Sequence, residues 1–304
     1  MERFTFLSSD GITHLAAYRT TPENPRALVQ ISHGMCEYFL RYEGFAEYLS
    51  AQGFLVFGHD HLGHGNSAPD ATSLGFTVSG GGYQNLIEDV HTLSLKMKEE
   101  YPSLPLILFG HSMGSFIARA VVEQFGSDYK AAIFCGTGGP DTPAGAGKLL
   151  ASLLMLFCGE RHRSALLKSI AFMGYNKKFE KGCDKNAWLT RDADVVTRYN
   201  ADPFCTYTFT LRAYHDLFSL VARVNRREWA QSLRRDLPIL VVSGEMDPVG
   251  SYGLGVRAVA KMLEDAKIED LTLTLYPEMR HEILNELEKD SVWTEICQWI
   301  ASKA

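Results

Sequence analysis

The apolar residues of this chain fall into two alternating patterns. Runs such as Ala27-Leu28-Val29-Gln30-Ile31-Ser32, Phe54-Leu55-Val56-Phe57, Leu106-Ile107-Leu108-Phe109, Ala131–Cys135 and Ile239-Leu240-Val241-Val242-Ser243 are short and almost continuously apolar. Strands covered on both faces read this way. Leu271–Tyr276 predicts a further strand near the C-terminus. Stretches with apolar residues three and four apart separate these runs, as in Ser115–Val122, and predict helices. The alternation holds from residue 1 to about 140 and resumes near 237. It predicts an α/β fold: a mostly parallel eight-stranded sheet flanked by helices. Arg3–Ser8 and Thr13–Arg19 predict an antiparallel edge. After the sixth strand, Gly136-Thr137-Gly138-Gly139-Pro140 breaks the pattern, and a helical insertion over 140–235 follows. The core then comprises 1–139 and 236–304, with the insertion capping the carboxyl ends of the strands.

Between the strand at Leu106–Phe109 and the helix after it stands Gly110-His111-Ser112-Met113-Gly114. A G-x-S-x-G run in that context is a nucleophile elbow, a turn tight enough that glycine is needed on both sides and the serine is thrust out of the sheet. A serine hydroxyl needs a base to remove its proton, and the base needs an acid to orient it. The chain order expected is serine, acid, histidine. Asp247 follows the Ile239–Ser243 strand and His281 follows the Leu271–Tyr276 strand, both where active-site groups of open α/β sheets gather. Glu245 is the competing acid, and Pro248 fixing a turn after Asp247 favours Asp247. The backbone N–H groups of Met113, at a helix start, and of Met35, in the loop His33-Gly34-Met35, are the expected oxyanion donors.

With these pieces in place the chain resembles the monoacylglycerol lipase and lysophospholipase branch of the serine α/β-hydrolases. The resemblance spans nearly the whole length. It rests on His33–Glu37, Arg41-Tyr42, Asp60–Ser67, Gly110–Gly114, Ser243–Val249 and Arg280–Glu286. Two positions depart from the family pattern. Cys36 replaces a common glycine, and Leu62 replaces the arginine of D-x-R-G-H-G. The resemblance implies a carboxylic ester hydrolase working through an acyl-enzyme intermediate, with no cofactor. It also implies that Glu37 and Arg41 face the polar alcohol of the substrate; a charge pair stiffening the loop is the competing reading.

Composition narrows the classes. The 304 residues are 46% hydrophobic with a net charge of −6, which argues against nucleic acid as partner. The Met1-Glu2-Arg3-Phe4 start lacks a signal-peptide pattern and no apolar run approaches a membrane span, giving the expectation of a cytoplasmic protein. Six cysteines without C-x-x-C spacing read as free thiols. His59, His61 and His64 mimic the spacing of a two-metal hydrolase, but Gly63 stands where such a site needs aspartate, so no metal is expected.

The insertion is where substrate choice is written. Leu149–Phe157 is nearly free of polar groups. It reads as a helix buried on the core, as an acyl-tunnel wall or as a patch making peripheral contact with lipid. The aromatics Phe172, Tyr175, Phe179, Trp188, Tyr199, Phe204, Tyr207 and Phe209 suit a long apolar pocket or a small helical core. The expected substrate is a small lipid ester, a monoacylglycerol or lysophospholipid. The alternatives are a short-chain carboxylesterase, or a proline-aminopeptidase-type peptidase needing clustered acids, for which Asp192, Asp194 and Asp202 are too scattered. A non-catalytic member would have lost a triad residue.

Overall fold

In the computed structural model, which describes residues 1–80 and 82–304, the apolar runs pair side by side into one sheet. Its first strands are β1 (Glu2–Leu7), β2 (His14–Thr20) and β3 (Ala27–Ser32). Helix α1 (Glu43–Ala51), β4 (Phe54–His59), α2 (Tyr83–Glu100), β5 (Leu106–His111), α3 (Met113–Phe125) and β6 (Ala131–Cys135) follow. Helices α4 (Ala144–Cys158), α5 (Ala165–Ala171), α6 (Ala193–Ala201), α7 (Leu211–Val224) and α8 (Arg227–Ser232) then intervene. The chain returns through β7 (Ile239–Gly244), α9 (Leu254–Asp265), β8 (Leu271–Tyr276) and α10 (Lys289–Lys303).

The strand order is β1-β2-β4-β3-β5-β6-β7-β8. β2 runs antiparallel to both its neighbours, and every other pairing is parallel. The expected eight strands and antiparallel edge are both present, the first two displaced by a single residue from the sequence reading.

Period-two alternation divides each central strand between two apolar cores. Leu28, Leu106 and Leu108 point to the face packed by α2, α3 and α9. Val29, Ile31, Ile107 and Phe109 point to the opposite face with α1 and α10. β3, β4, β5, β6 and β7 are buried along their whole length, which is why their sequences are nearly continuously apolar and do not alternate with polar positions. Parallel strands β3, β5, β7 and β8 bring their carboxyl ends to one edge of the sheet, where a ligand site of an open α/β fold lies. The segment between β6 and β7 leaves from that same edge.

Within that segment α4 lies along α7. Only Ala144 and Ala151 of α4 are buried. Leu149, Leu153, Leu156 and Phe157 are exposed, Phe157 to 87%. Of the readings open for this helix, burial of the whole run on the core is excluded.

Candidate active site

β5 ends at His111, and Ser112 takes φ 54° and ψ −120° before α3 begins. That left-handed φ is strained for a residue with a Cβ, and it persists because the surroundings hold it. The Ser112 N–H donates to the Cys135 carbonyl at 2.9 Å, and its own carbonyl accepts the Ser115 N–H at 2.8 Å. Side chains on Gly110 or Gly114 would run into α3 backbone and the end of β3 respectively. The serine itself is partly exposed at the N-terminus of α3.

Asp247 and His281 meet beside it. His281 Nδ1 donates to Asp247 Oδ2 at 2.9 Å. The same oxygen accepts the Ser243 hydroxyl at 3.0 Å, and Asp247 Oδ1 accepts the Val249 N–H at 2.8 Å. Asp247 is 0% exposed and His281 2%. The carboxylate is therefore held by three donors in a dry setting, fixing the imidazole tautomer that leaves Nε2 free to accept a proton. Glu245 is not part of this group; it pairs at the surface with Arg257 at 3.6 Å. Ser112 Oγ has no hydrogen-bond partner among the described residues; such bonds commonly form only once substrate is bound.

The loop after β3 closes on Ser112. A Cβ on Gly34 would lie 3.0 Å from Ser112 Cβ and 2.5 Å from Glu37 Oε1, so only glycine fits this approach. The next residues are Met35, partly exposed, and Cys36 with φ 54°. Met113 is buried at the first position of α3.

Glu37 and Arg41 are tied into a buried cluster. Glu37 Oε1 accepts the Gly34 N–H and the Tyr42 hydroxyl, the latter at 2.7 Å, while Oε2 accepts Arg41 Nη1 at 2.8 Å. Arg41 also makes a bidentate pair with Glu282 at 2.7 Å through each nitrogen. His111 sits between two acceptors, Glu37 Oε1 and the His281 carbonyl, each 3.2 Å away. Both ring nitrogens face oxygen acceptors, an arrangement that favours the charged ring. Burial alone would raise the Glu37 carboxyl and lower His111. The bond between them, with Arg41 beside Glu37, reverses both: Glu37 is held well below the carboxylate range and His111 above its ordinary value.

The segment between β6 and β7 touches His281 on one side and the loops after β3 and β4 on the other. Phe172, Tyr175 and Trp188 pack on one another at 4.9–5.9 Å, and the Trp188 ring lies 5.0 Å from His281. On the other side the Tyr199 hydroxyl donates to the Cys36 carbonyl at 3.1 Å, and Tyr207 and Phe209 flank His64. Of the eight aromatics singled out in the sequence, six thus divide between these two sides; Phe204 packs on Tyr38 and Phe179 lies under Arg280. Ser243, His111 and Glu282 have no individual site role in the sequence reading, and Trp188 stands there only among the aromatics of the pocket or helical core. Glu282 adjoins His281 in sequence, and that adjacency was the one signal available.

His59, His61 and His64 are buried side by side with His33. His64 Nδ1 donates to Leu62 O at 3.0 Å, and the His61 N–H donates to His33 Nε2 at 3.0 Å. These bonds hold the turn after β4. Both nitrogens of His59 lack partners among the described residues, and no cluster there is arranged to hold a metal.

The family described as "Serine aminopeptidase, S33" matches residues 23–288. The chain is 30% identical to a monoacylglycerol lipase of Mycolicibacterium smegmatis over 98% of its own length and 96% of that protein. It is 28% identical to the monoglyceride lipase of Homo sapiens over 98% and 89%. A crystal structure of a thermostable carboxyl esterase from Bacillus coagulans, in complex with glycerol, superposes with a TM-score of 0.93 at 31% identity, covering 99% of this chain and 98% of that one.

Proposed function

The chain belongs to the serine aminopeptidase S33 family of α/β-hydrolases and is a serine hydrolase of carboxylic esters; from that premise we propose that it cleaves monoacylglycerols through an acyl-enzyme on Ser112. The observation that carries this is the Asp247–His281 pair, buried and hydrogen-bonded beside a serine on a strained elbow. Ser112 Oγ attacks the ester carbonyl while His281 Nε2 takes its proton. Asp247 stabilises the imidazolium so formed. The N–H groups of Met35 and Met113 receive the oxyanion, a donor pair worth a hundred- to a thousand-fold per member. His281 returns the proton to the leaving glycerol, and water then repeats the sequence on the acyl-enzyme.

In this reading residues 140–235 form a cap over the site. Its aromatics line the acyl chain, and its exposed face of Leu149, Leu153, Leu156, Phe157, Leu166, Ile170 and Met173 rests on the lipid surface that supplies substrate. Lysophospholipids present the same single chain and a small polar alcohol. Glu37, bonded to Arg41, and Arg41, bonded in turn to Glu282, brace the oxyanion loop instead of contacting the alcohol. A peptidase reading finds no support in the acids of this segment. Asp192 caps α6, and Asp202 accepts the Tyr38 hydroxyl at 2.7 Å, leaving neither to hold a free amine.

Steady-state kinetics over glycerol monoesters from acetate to palmitate, beside a lysophosphatidylcholine and an amino-acid anilide, test the reading. kcat/KM is expected to rise with chain length by up to about fourfold per buried methylene, with no turnover of the anilide. Ser112→Ala is expected to abolish hydrolysis and labelling by a fluorophosphonate. A monotonic fall from acetate upward would make this a short-chain esterase.

A further inference from the structure

Arg119 lies on α3 two turns beyond Ser112 and is 0% exposed. No carboxylate reaches it among the described residues. Nη1 donates to Thr137 Oγ1 at 3.2 Å and to Gly138 O at 3.1 Å. Nη2 donates to Asn225 Oδ1 at 3.0 Å and to Val224 O. The guanidinium stacks 4.2 Å over Trp229, whose indole N–H donates back to the Arg119 carbonyl at 2.8 Å. Asn225 Nδ2 completes the ring of bonds on Gly139 O at 3.0 Å.

A buried cation facing only neutral acceptors is costly, and burial pushes the Arg119 pKa down to about 9. What its fork achieves is visible in the partners. Thr137, Gly138 and Gly139 lead out of β6 into the helical segment, whereas Val224 and Asn225 end α7 near its return. One side chain therefore fastens both stems at a single point on the nucleophile helix. The incoming stem also touches the site: a Cβ on Gly136 would sit 3.1 Å from His281 Cε1, and one on Gly138 3.1 Å from the Val249 carbonyl, two residues beyond Asp247. The contacts of Trp188 with His281 and of Tyr199 with Cys36 lie between these stems.

We propose that Arg119 is a positioning residue for acyl-chain selection, clipping both stems of the helical segment to α3 so that the segment returns to one seat over Ser112 after each substrate enters. This rests on the reading of that segment as a roof over the acyl site. Loss of the clip widens the roof's excursion. A long chain, held by the roof along its length, loses alignment and binding; an acetate loses only what a looser Trp188–His281 contact costs every ester.

Arg119→Met and Arg119→Lys are compared with the unaltered enzyme on p-nitrophenyl acetate and on monopalmitoylglycerol, with amide hydrogen exchange followed in all three. The Met variant is expected to lose about tenfold more in kcat/KM on the long ester than on acetate, with the excess appearing in KM. Lys restores part of the loss. Exchange is expected to quicken at 137–139 and 224–225 together while β5 stays protected. Equal losses on both esters, no rescue by Lys, or faster exchange at one stem alone would overturn the proposal. Asn225→Ala, which removes one acceptor from the clip, carries the same measurements if Arg119→Met fails to fold. An unaltered enzyme indifferent to chain length would sink the roof itself, and the exchange measurement would still decide whether Arg119 joins the two stems.

Discussion

Trp188 covers His281: the two rings lie 5.0 Å apart at 40°, and the His281 N–H donates to the Trp188 carbonyl at 3.3 Å. Asp247 fixes the imidazole through Nδ1 from the loop after β7, and Trp188 fixes the ring plane from the helical segment. The base is therefore held by two parts of the chain about 60 residues apart in sequence.

Truncation of that contact has a measurable consequence. Trp188→Ala leaves the Asp247–His281 bond in place but frees the ring to tilt, and sub-ångström errors in a base cost one to two orders of magnitude. A ten- to hundredfold fall in kcat on acetate esters is expected, with a parallel fall in the rate of fluorophosphonate labelling at Ser112. Unchanged labelling would show that Trp188 serves substrate binding alone.

The charged cluster behind the oxyanion loop responds to single and paired substitutions differently. Arg41→Met strands Glu282 and leaves Glu37 with His111 alone, both carboxylates being 4% exposed. Breaking such a buried pair costs about 3–5 kcal/mol. Replacing Glu282 as well, in Arg41→Met/Glu282→Leu, removes one stranded charge and is expected to recover a large part of that loss. Chemical denaturation of the three proteins measures it; a single variant as stable as the parent would mean the pair contributes nothing.

Acid stability follows from the buried histidines. Burial lowers His33 and His59 to about 3 and His64 to about 4, whereas the unfolded chain protonates these rings near 6.5. Below that pH the unfolded state binds more protons than the folded one, so stability falls as pH drops from about 6.5 towards 3–4. Each ring contributes roughly 3–5 kcal/mol across that window. Asp60 and Asp89, raised by burial to about 6, act oppositely between 6 and 3.8, but fewer groups with smaller shifts do not offset the imidazoles. His59→Leu, which removes two unpartnered nitrogens, is expected to be neutral or stabilising by about 1 kcal/mol at pH 7. It should also move the acid-unfolding midpoint to lower pH. A midpoint that moves upward would refute the assignment.

Local signals in the sequence carried the sheet and the carboxyl edge to which Ser112, Asp247 and His281 belong. The run Leu106–Phe109, the elbow and the helix after it are contiguous, and Asp247 and His281 each follow their own strand within a few residues. Side-chain partnerships over long separations were invisible. Arg41 meets Glu282 across 241 positions, and nothing in either neighbourhood announces the pair. Arg119 sits in an otherwise apolar helical stretch, where burial of a guanidinium reads against its chemistry until Thr137, Val224 and Asn225 are seen around it. The apolar run Leu149–Phe157 left burial and exposure open because eight apolar residues among nine in a helix point everywhere; only the packing of α4 along α7 decides which face is outside.

That exposed face yields the last prediction. Leu156 and Phe157 are 79% and 87% exposed, and inserting two such side chains into a lipid interface is worth about 2–4 kcal/mol. Leu156→Glu/Phe157→Glu touches neither Ser112 nor the chain's two cores, so hydrolysis of a soluble p-nitrophenyl butyrate should remain within about twofold. Hydrolysis of monooleoylglycerol embedded in phosphatidylcholine vesicles should fall by about ten- to hundredfold, with a matching loss of co-sedimentation with those vesicles. The two substrates separate the effects because both need the same triad and only one must be drawn from a bilayer. If the variant keeps full activity on vesicles, the face serves some other purpose and substrate reaches Ser112 from solution.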